Sequence, residues 1–132
     1  MQEHITLEEY KQLQQKGNSK YKNEKVVIDG IKFESKLEAE RWKQLNLLQK
    51  AGTIKDLRRQ IKFELQPSYK KNDIVIHSIN YVADFVYYDV NKKGFVVEDT
   101  KGFKNDVYKL KKKIFEYKYP ELEIKEIRKE DL

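Results

Sequence analysis

The chain contains no cysteine and only two histidines, His4 and His77. The lack of cysteine excludes a disulfide framework and a thiolate zinc site, and it is typical of proteins of a reducing cytosol. No apolar run approaches the roughly 20 residues of a membrane helix. Charge begins at Glu3, so no secretory signal peptide is expected. The sequence therefore predicts a soluble, cytoplasmic protein with no membrane partner.

Charged side chains are what the chain has in abundance. They make up 38% of its 132 residues, and 28 Lys and Arg against 22 Asp and Glu give a formal net charge of +6. A basic balance of this kind favours a polyanionic partner. An aromatic content of 12% argues against disorder, and the length is that of a single domain.

The first 25 residues are expected to form an appendage. Thr6 and Glu9 have the spacing of a capping box that opens a helix, and Gly17 is a plausible end of that helix. A basic linker follows. We therefore divide the chain into an N-terminal helix with its linker, residues 1–25, and a main domain, residues 26–132.

The main domain is predicted to be α/β. A hairpin over 26–33 turns at Asp29-Gly30, and a helix is expected from Ser35 to about Ala51. Three strands, a helix and a last strand follow, near 54–65, 74–88, 95–101, 105–118 and 122–127. In the second helix Val107, Leu110, Ile114 and Tyr117 have the spacing of a core-facing side.

Acidic residues on the second and third strands form a candidate site. Side chains alternate along a strand, so Asp99 and Lys101 share a face, about 6.5–7 Å apart, and Glu98 points away. Asp84 lies on a strand face with apolar neighbours, where an ionised carboxylate is costly unless it is paired or bound to a metal. If these strands form a hairpin through the turn at 91–94, Asp84 and Asp99 come close together.

The first helix supplies a third carboxylate. At 100° per residue, Glu38 falls inside the apolar face, between Leu45 and Trp42. Several carboxylates at one site repel each other, and a hard cation such as Mg²⁺ relieves this with oxygen ligands. The pattern therefore predicts a metal site that combines Glu38, Asp84 and Asp99.

Each of these residues also has a purely structural interpretation. Glu38 can complete a capping box with Ser35. Asp84 can bond a backbone N–H or end a strand pairing, and Asp99 can form an ion pair with Lys101. The order of an acid on a helix, an acid in a strand and acid-x-Lys on the next strand favours the metal site.

Three segments in this order match a known pattern. They are Phe33-x-Ser35-x-x-Glu38-Ala39-x-Arg41, Tyr81-Val82-Ala83-Asp84-Phe85 and Glu98-Asp99-Thr100-Lys101-Gly102. With these segments the chain resembles the PD-(D/E)XK nuclease superfamily over about residues 26–127. More narrowly it is similar to a small phage- and prophage-associated endonuclease-like family. One departure is Ala83, which stands where the motif has proline.

The resemblance implies a restriction-endonuclease-like αβββαβ core, with a central mixed sheet flanked by helices. It implies an endodeoxyribonuclease that depends on Mg²⁺, with Mn²⁺ as a substitute, and acts in phage or mobile-element recombination, repair or DNA processing. Glu38, Asp84, Asp99 and Lys101 would be catalytic. Asp84, Asp99 and Glu38 would hold the metal, and Lys101 would orient the attacking water and offset negative charge in the transition state.

Basic residues after the third strand indicate a DNA-binding surface. An ordinary solvated helix face is the alternative interpretation. The candidate DNA-binding residues are Lys104, Lys109, Lys111, Lys112, Lys113, Arg58 and Arg59.

Two further hypotheses remain open at this point. The domain could be a non-catalytic DNA-binding or adaptor module on the same fold, or the cleavage subunit of a larger DNA-processing complex. A junction-cutting enzyme would favour a homodimer, because it makes paired cuts.

Overall fold

The computed structural model describes residues 25–100 and 104–132. Contacts between Cα atoms divide the chain into two compact units, residues 1–39 and residues 40–132. The predicted N-terminal helix lies outside the described residues, as do most of the predicted linker and Lys101.

The described part of the smaller unit contains the predicted hairpin. Strands β1 (Val26–Ile28) and β2 (Ile31–Phe33) pair in antiparallel register. Asp29 and Gly30 both have positive φ, 51° and 77°. This is the backbone of a type I′ turn, which suits the twist of a hairpin. The hairpin prediction is confirmed.

Helix α1 (Lys36–Lys50) begins and ends as its sequence predicts. Ser35 Oγ accepts the backbone N–H of Glu38 at 3.1 Å, so the serine half of the capping box is present. Gly52 has φ +81°, and the N–H groups of Gly52 and Thr53 donate to carbonyls of the last turn. This is a Schellman end, in which glycine takes the left-handed position. From Glu40 onward the helix belongs to the larger unit.

The larger unit is built on a mixed sheet. Its elements are β3 (Ile54–Gln66), β4 (Tyr69–Lys71), β5 (Ile74–Ile76), β6 (Ile79–Asp89), β7 (Gly94–Thr100), α2 (Asp106–Lys118) and β8 (Ile124–Ile127), followed by a 3-10 turn at Lys129–Asp131. The four strands of this sheet have the order β3-β6-β7-β8. The first two pairings are antiparallel and the last is parallel, which requires a crossover, and α2 provides it. The predicted α/β class with a central mixed sheet is confirmed.

The strand predicted near 74–88 is two strands, so that prediction was wrong in its bounds. Asn72 and Asp73 have φ of 51° and 64°, and they turn the chain between β4 and β5. Asn and Asp tolerate this left-handed backbone better than other residues with a side chain. The apolar residues of β5 therefore belong to a small separate hairpin, and the sheet strand β6 starts at Ile79.

The two helices pack on opposite faces of the sheet. Val96 packs with a cluster that contains Leu45 of α1, and Val97 lies in a cluster that contains Phe115 of α2. Consecutive residues of a strand point to opposite faces. The sheet is therefore covered by α1 on one side and by α2 on the other.

Helix α2 buries a different side from the predicted one. Val107, Leu110 and Tyr117 are 61%, 60% and 88% exposed. Tyr108 and Phe115, seven residues apart, are buried instead, and of the four predicted residues Ile114 packs against the same core cluster. The sequence carries two overlapping apolar periodicities, and the one through Tyr108 and Phe115 faces the core.

No helix in the described ranges combines the length and the apolar character needed to cross a membrane.

Candidate functional site

Glu98 and Asp99 are consecutive in β7, and their carboxylates face opposite sides of the sheet. Glu98 is fully buried on the α1 side. Its two oxygens accept hydrogen bonds from Arg41 Nε at 2.7 Å and Arg41 Nη2 at 2.6 Å, and Tyr87 also donates its hydroxyl to Oε2. The prediction that Glu98 points away from Asp99 is confirmed. Glu98 is half of a bidentate ion pair that ties α1 to the sheet.

Arg41 is a residue whose contact the sequence interpretation missed. The hydrogen bond to Glu98 raises the pKa of its guanidinium further, against the effect of burial. Burial, with the charge of Glu98, raises the pKa of the Tyr87 hydroxyl, so that group stays a proton donor. Arg41 precedes Leu45 by four residues and Leu48 by seven, a spacing that places it on the inward face of the helix. This spacing is the feature of the sequence that indicates an inward-facing arginine.

Asp99 lies on the other side, among tyrosines. Its carboxylate is only 1% exposed, and its Oδ2 accepts the hydroxyl of Tyr81 at 2.6 Å. The rings of Tyr81 and Tyr108 have centroids 6.5 Å apart. Burial and the charge of Asp99 raise the pKa of Tyr81 far above its ordinary value. Tyr81 therefore stays protonated and holds one carboxylate oxygen in place.

Asp84 lies at the end of the β6–β7 ladder. The last register pair of the ladder is Phe85 with Glu98. One step further, Asp84 Oδ2 accepts the backbone N–H of Thr100 at 2.8 Å and its hydroxyl at 2.7 Å. The structural interpretation of Asp84, that it bonds a backbone N–H, is thus confirmed as one of its contacts.

Continuing the same register places Asp84 opposite Asp99. Burial and the charge of Asp99 raise the pKa of the Tyr81 hydroxyl, and the charge of Asp84 adds least. Of the two carboxylates, that of Asp99 accepts the hydroxyl of Tyr81.

Gln60 of the edge strand β3 reaches the same point, and no pattern in the sequence predicts this. The register pairs on each side of it place Gln60 across from Asp84. Its Nε2 donates to Asp84 Oδ1 at 3.3 Å, and its φ is +54°. A residue other than glycine rarely has a left-handed backbone inside a strand. Such residues concentrate at functional sites.

The other two predicted site residues are placed differently. Glu38 is buried, as the helical wheel predicts, and it belongs to the smaller unit. Lys101 lies outside the described residues. Within residues 25–100 and 104–132, no three acidic or histidine side chains are grouped so that they could hold a metal ion. The site of four residues therefore stays a prediction.

Glu126 is a further acidic residue beside the candidate site. It is the register partner of Asp99 in the parallel β7–β8 pairing. Its carboxylate accepts hydrogen bonds from Lys104 Nζ and from the Tyr108 hydroxyl, both at 2.9 Å. Burial alone would raise the pKa of Glu126, but the hydrogen bonds from Lys104 and Tyr108 outweigh it, and the pKa is lowered. Only the register between the two strands brings this side chain to the site.

The predicted DNA-binding residues do not form one surface. Arg58 and Arg59 are consecutive in β3 and pair with Val86 and Phe85 of β6, so they point to opposite sides of the strand. The lysines belong to α2 and to the residue before its cap, Lys104, and they surround the helix on more than one side.

A family model described as "Protein of unknown function (DUF1064)" matches residues 18–131. The match spans most of the chain, which therefore belongs to this family. No curated protein and no solved structure matches the chain.

Proposed function

We propose that the protein is a Mg²⁺-dependent endodeoxyribonuclease of the PD-(D/E)XK type, which hydrolyses phosphodiester bonds in phage or mobile-element DNA during recombination, repair or processing. The observation that carries the proposal is the β6–β7 register, whose continuation past Phe85 and Glu98 runs through Asp84 and Asp99. These are the positions of the two strand acids in the superfamily pattern that the sequence resembles.

The order of the elements supports the same proposal. If the β4–β5 hairpin is treated as an insertion, the larger elements follow as α1, β3, β6, β7, α2 and β8. This is the αβββαβ order that the resemblance implies. The mixed sheet and a helix on each face agree with a restriction-endonuclease-like core.

The donor set at the ladder end fits Mg²⁺. Asp84 and Asp99 offer carboxylate oxygens, the ligands that this cation prefers. Mg²⁺ in phosphoryl-transfer sites is commonly held by one or two carboxylates, while water and substrate phosphate complete its shell. Two carboxylates without a third acid are therefore sufficient. Glu38 would add a ligand or hold a water.

Neighbouring side chains would hold these ligands in place. Thr100 donates twice to Asp84, and Tyr81 donates to Asp99. Hydrogen bonds of this kind fix the direction of a metal-binding carboxylate. Because the pKa of Tyr81 is raised, it remains a donor at any pH at which the protein works.

When bound, Mg²⁺ supplies polarisation of the scissile phosphate and acidification of a water. Lys101 would orient the attacking water and offset the negative charge that develops on the phosphate. By holding the cation, Asp84 and Asp99 would fix the position of the reacting phosphate relative to Lys101.

A second candidate function is favoured by the contacts of Asp84. The bonds that it accepts from Thr100 can serve to end the ladder without any metal. The domain would then be a DNA-binding module on a nuclease-like fold, and it would bind DNA without cutting it.

The deciding experiment is a cleavage assay on labelled linear, flap and four-way-junction DNA with Mg²⁺, Mn²⁺ or EDTA. Wild type is compared with Asp84→Asn, Asp99→Asn and Lys101→Ala. Glu123→Gln, an exposed acid near β8, is the matched control. We expect metal-dependent cutting by wild type and Glu123→Gln only. Binding without cutting would favour the DNA-binding module, and equal cutting by all variants would overturn the proposed site.

A further inference from the structure

An open cleft of about 370 Å³ lies where helix α2 meets strand β8. Four lysines line it, Lys104, Lys109, Lys112 and Lys113. Lys112 and Lys113 follow Lys109 by three and four residues, so both lie on the face of the helix next to Lys109.

The two acidic side chains in the cleft have other hydrogen-bond partners. Glu116 Oε2 accepts the backbone N–H of Ile124 at 3.1 Å, at the start of β8. Glu126 accepts hydrogen bonds from Lys104 Nζ and from the Tyr108 hydroxyl. Against four lysines, these two glutamates leave an excess of two positive charges, 4 − 2. The glutamates are thus used to build the cleft.

The lysines on the helix carry that excess. In residues 25–100 and 104–132, the ion pairs do not include Lys109, Lys112 or Lys113. Lys109 and Lys113 are exposed at the rim, and Lys112 is half-buried. Like charges so close together repel each other, and a bound anion relieves the repulsion.

The cleft adjoins the candidate site. Glu126, one of its lining residues, pairs with Asp99 in neighbouring strands, which lie about 4.8 Å apart. Tyr108 also lines the cleft, and its pKa is raised by burial, by its bond to Glu126 and by the charge of Asp99. An anion in the cleft would therefore lie next to the residue proposed to hold the metal.

We propose that this cleft binds the backbone phosphates that adjoin the cut phosphate of the DNA strand. The inference rests on the proposed function, and it selects among the lysines that the sequence suggests. Lys109 and Lys113 stand one helical turn apart, about 6 Å along the axis. Lys111 lies about 160–200° around the helix from them and outside the cleft, and Lys118 donates instead to the carbonyl of Glu64.

The test compares two double variants that remove the same charge from exposed helix positions. Lys109→Gln/Lys113→Gln changes the cleft, and Lys43→Gln/Lys50→Gln changes α1 on the opposite face of the sheet. Binding to fluorescein-labelled DNA is measured by anisotropy in EDTA at several salt concentrations, after thermal melting shows that both variants fold.

We expect the cleft variant to bind about tenfold more weakly. The slope of log K against log salt should fall by about 2, because each lost phosphate contact contributes about 0.9. The α1 variant should bind within about twofold of wild type with an unchanged slope. Equal losses of DNA affinity in the two variants would mean that net charge alone determines binding. That result would overturn the assignment of the cleft as a phosphate site.

Single variants then test whether DNA binds at the cleft or anywhere along the basic helix. Lys109→Gln should weaken binding more than Lys111→Gln, and an equal loss would overturn the assignment. Cleavage by wild type distinguishes the two proposals. If wild type cuts DNA while the cleft variant binds normally, the cleft fails and the nuclease stands. If the cleft variant loses binding and wild type never cuts, the cleft stands as a site for DNA phosphates and the nuclease fails.

Discussion

Two neighbouring carboxylates in β7 show how one strand serves stability on one face and a candidate site on the other. Glu98 is bound by the guanidinium of Arg41, which balances its charge within the core. Asp99 receives the hydroxyl of Tyr81, which orients the carboxylate and carries no charge of its own. A buried carboxylate bonded bidentately by an arginine stabilises the fold, whereas a carboxylate that a tyrosine hydroxyl orients next to a second acid is suited to binding a metal ion.

The largest effect that we expect is on stability. Glu98→Ala leaves the Arg41 guanidinium buried without its carboxylate and should cost about 3–5 kcal/mol of unfolding free energy. Urea unfolding followed by circular dichroism measures it. The double variant Arg41→Met/Glu98→Leu should recover most of the loss, because two apolar side chains leave no charge in the core. If Glu98→Ala is as stable as wild type, the ion pair of Glu98 does not stabilise the fold.

Asp99→Asn is the matched change on the other face. The amide oxygen can still accept the Tyr81 hydroxyl, so stability should stay within about 1 kcal/mol. Cleavage should fall by about 10²–10³-fold, the usual loss for one charge-stabilising group in an active site. Urea unfolding and a single-turnover cleavage assay measure the two effects separately. Unfolding as severe as in Glu98→Ala would show that both carboxylates are structural.

Tyr81→Phe tests the orienting bond itself. The variant keeps the ring and removes the donor, and should cost about 1 kcal/mol of stability with a several-fold loss of cleavage. An alkaline titration gives a second measurement. Because the pKa of Tyr81 is raised, folded wild type and Tyr81→Phe should show the same tyrosinate absorbance between pH 9 and 11. A smaller absorbance change in the variant would mean that Tyr81 ionises normally and does not bond Asp99.

Local patterns in the sequence were enough to predict which way the acids point. Strand alternation separates Glu98 from Asp99, and the helical wheel turns Glu38 inward. The Asp29-Gly30 turn follows from local backbone chemistry. These features depend on residues that are close in the chain, where steric rules and periodicity act directly.

The partners of those acids could not be predicted, because they are set by tertiary pairing. Arg41 meets Glu98 across 57 positions of sequence. Glu126 reaches Asp99 only through the register of a parallel pair formed after a helical crossover. The buried side of α2 depends on which of two apolar periodicities packs better, and the small hairpin within 69–76 interrupts what reads as one apolar strand.

The smallest effect that we expect is at Glu126, which lies on β8 next to Asp99 of β7. A cation balances the carboxylate of Glu126, because Lys104 Nζ lies 2.9 Å from its Oε1. The pKa of Glu126 is lowered in the folded protein, so its contribution is present above the ordinary value of 4.5 and is lost as pH falls through the folded pKa. Glu126→Gln should therefore be less stable than wild type by about 0.5–1 kcal/mol at pH 6. The difference should shrink towards pH 3, measured by urea unfolding at both values. A difference that does not change with pH would mean that the ionised carboxylate of Glu126 and its pair with Lys104 contribute nothing to stability.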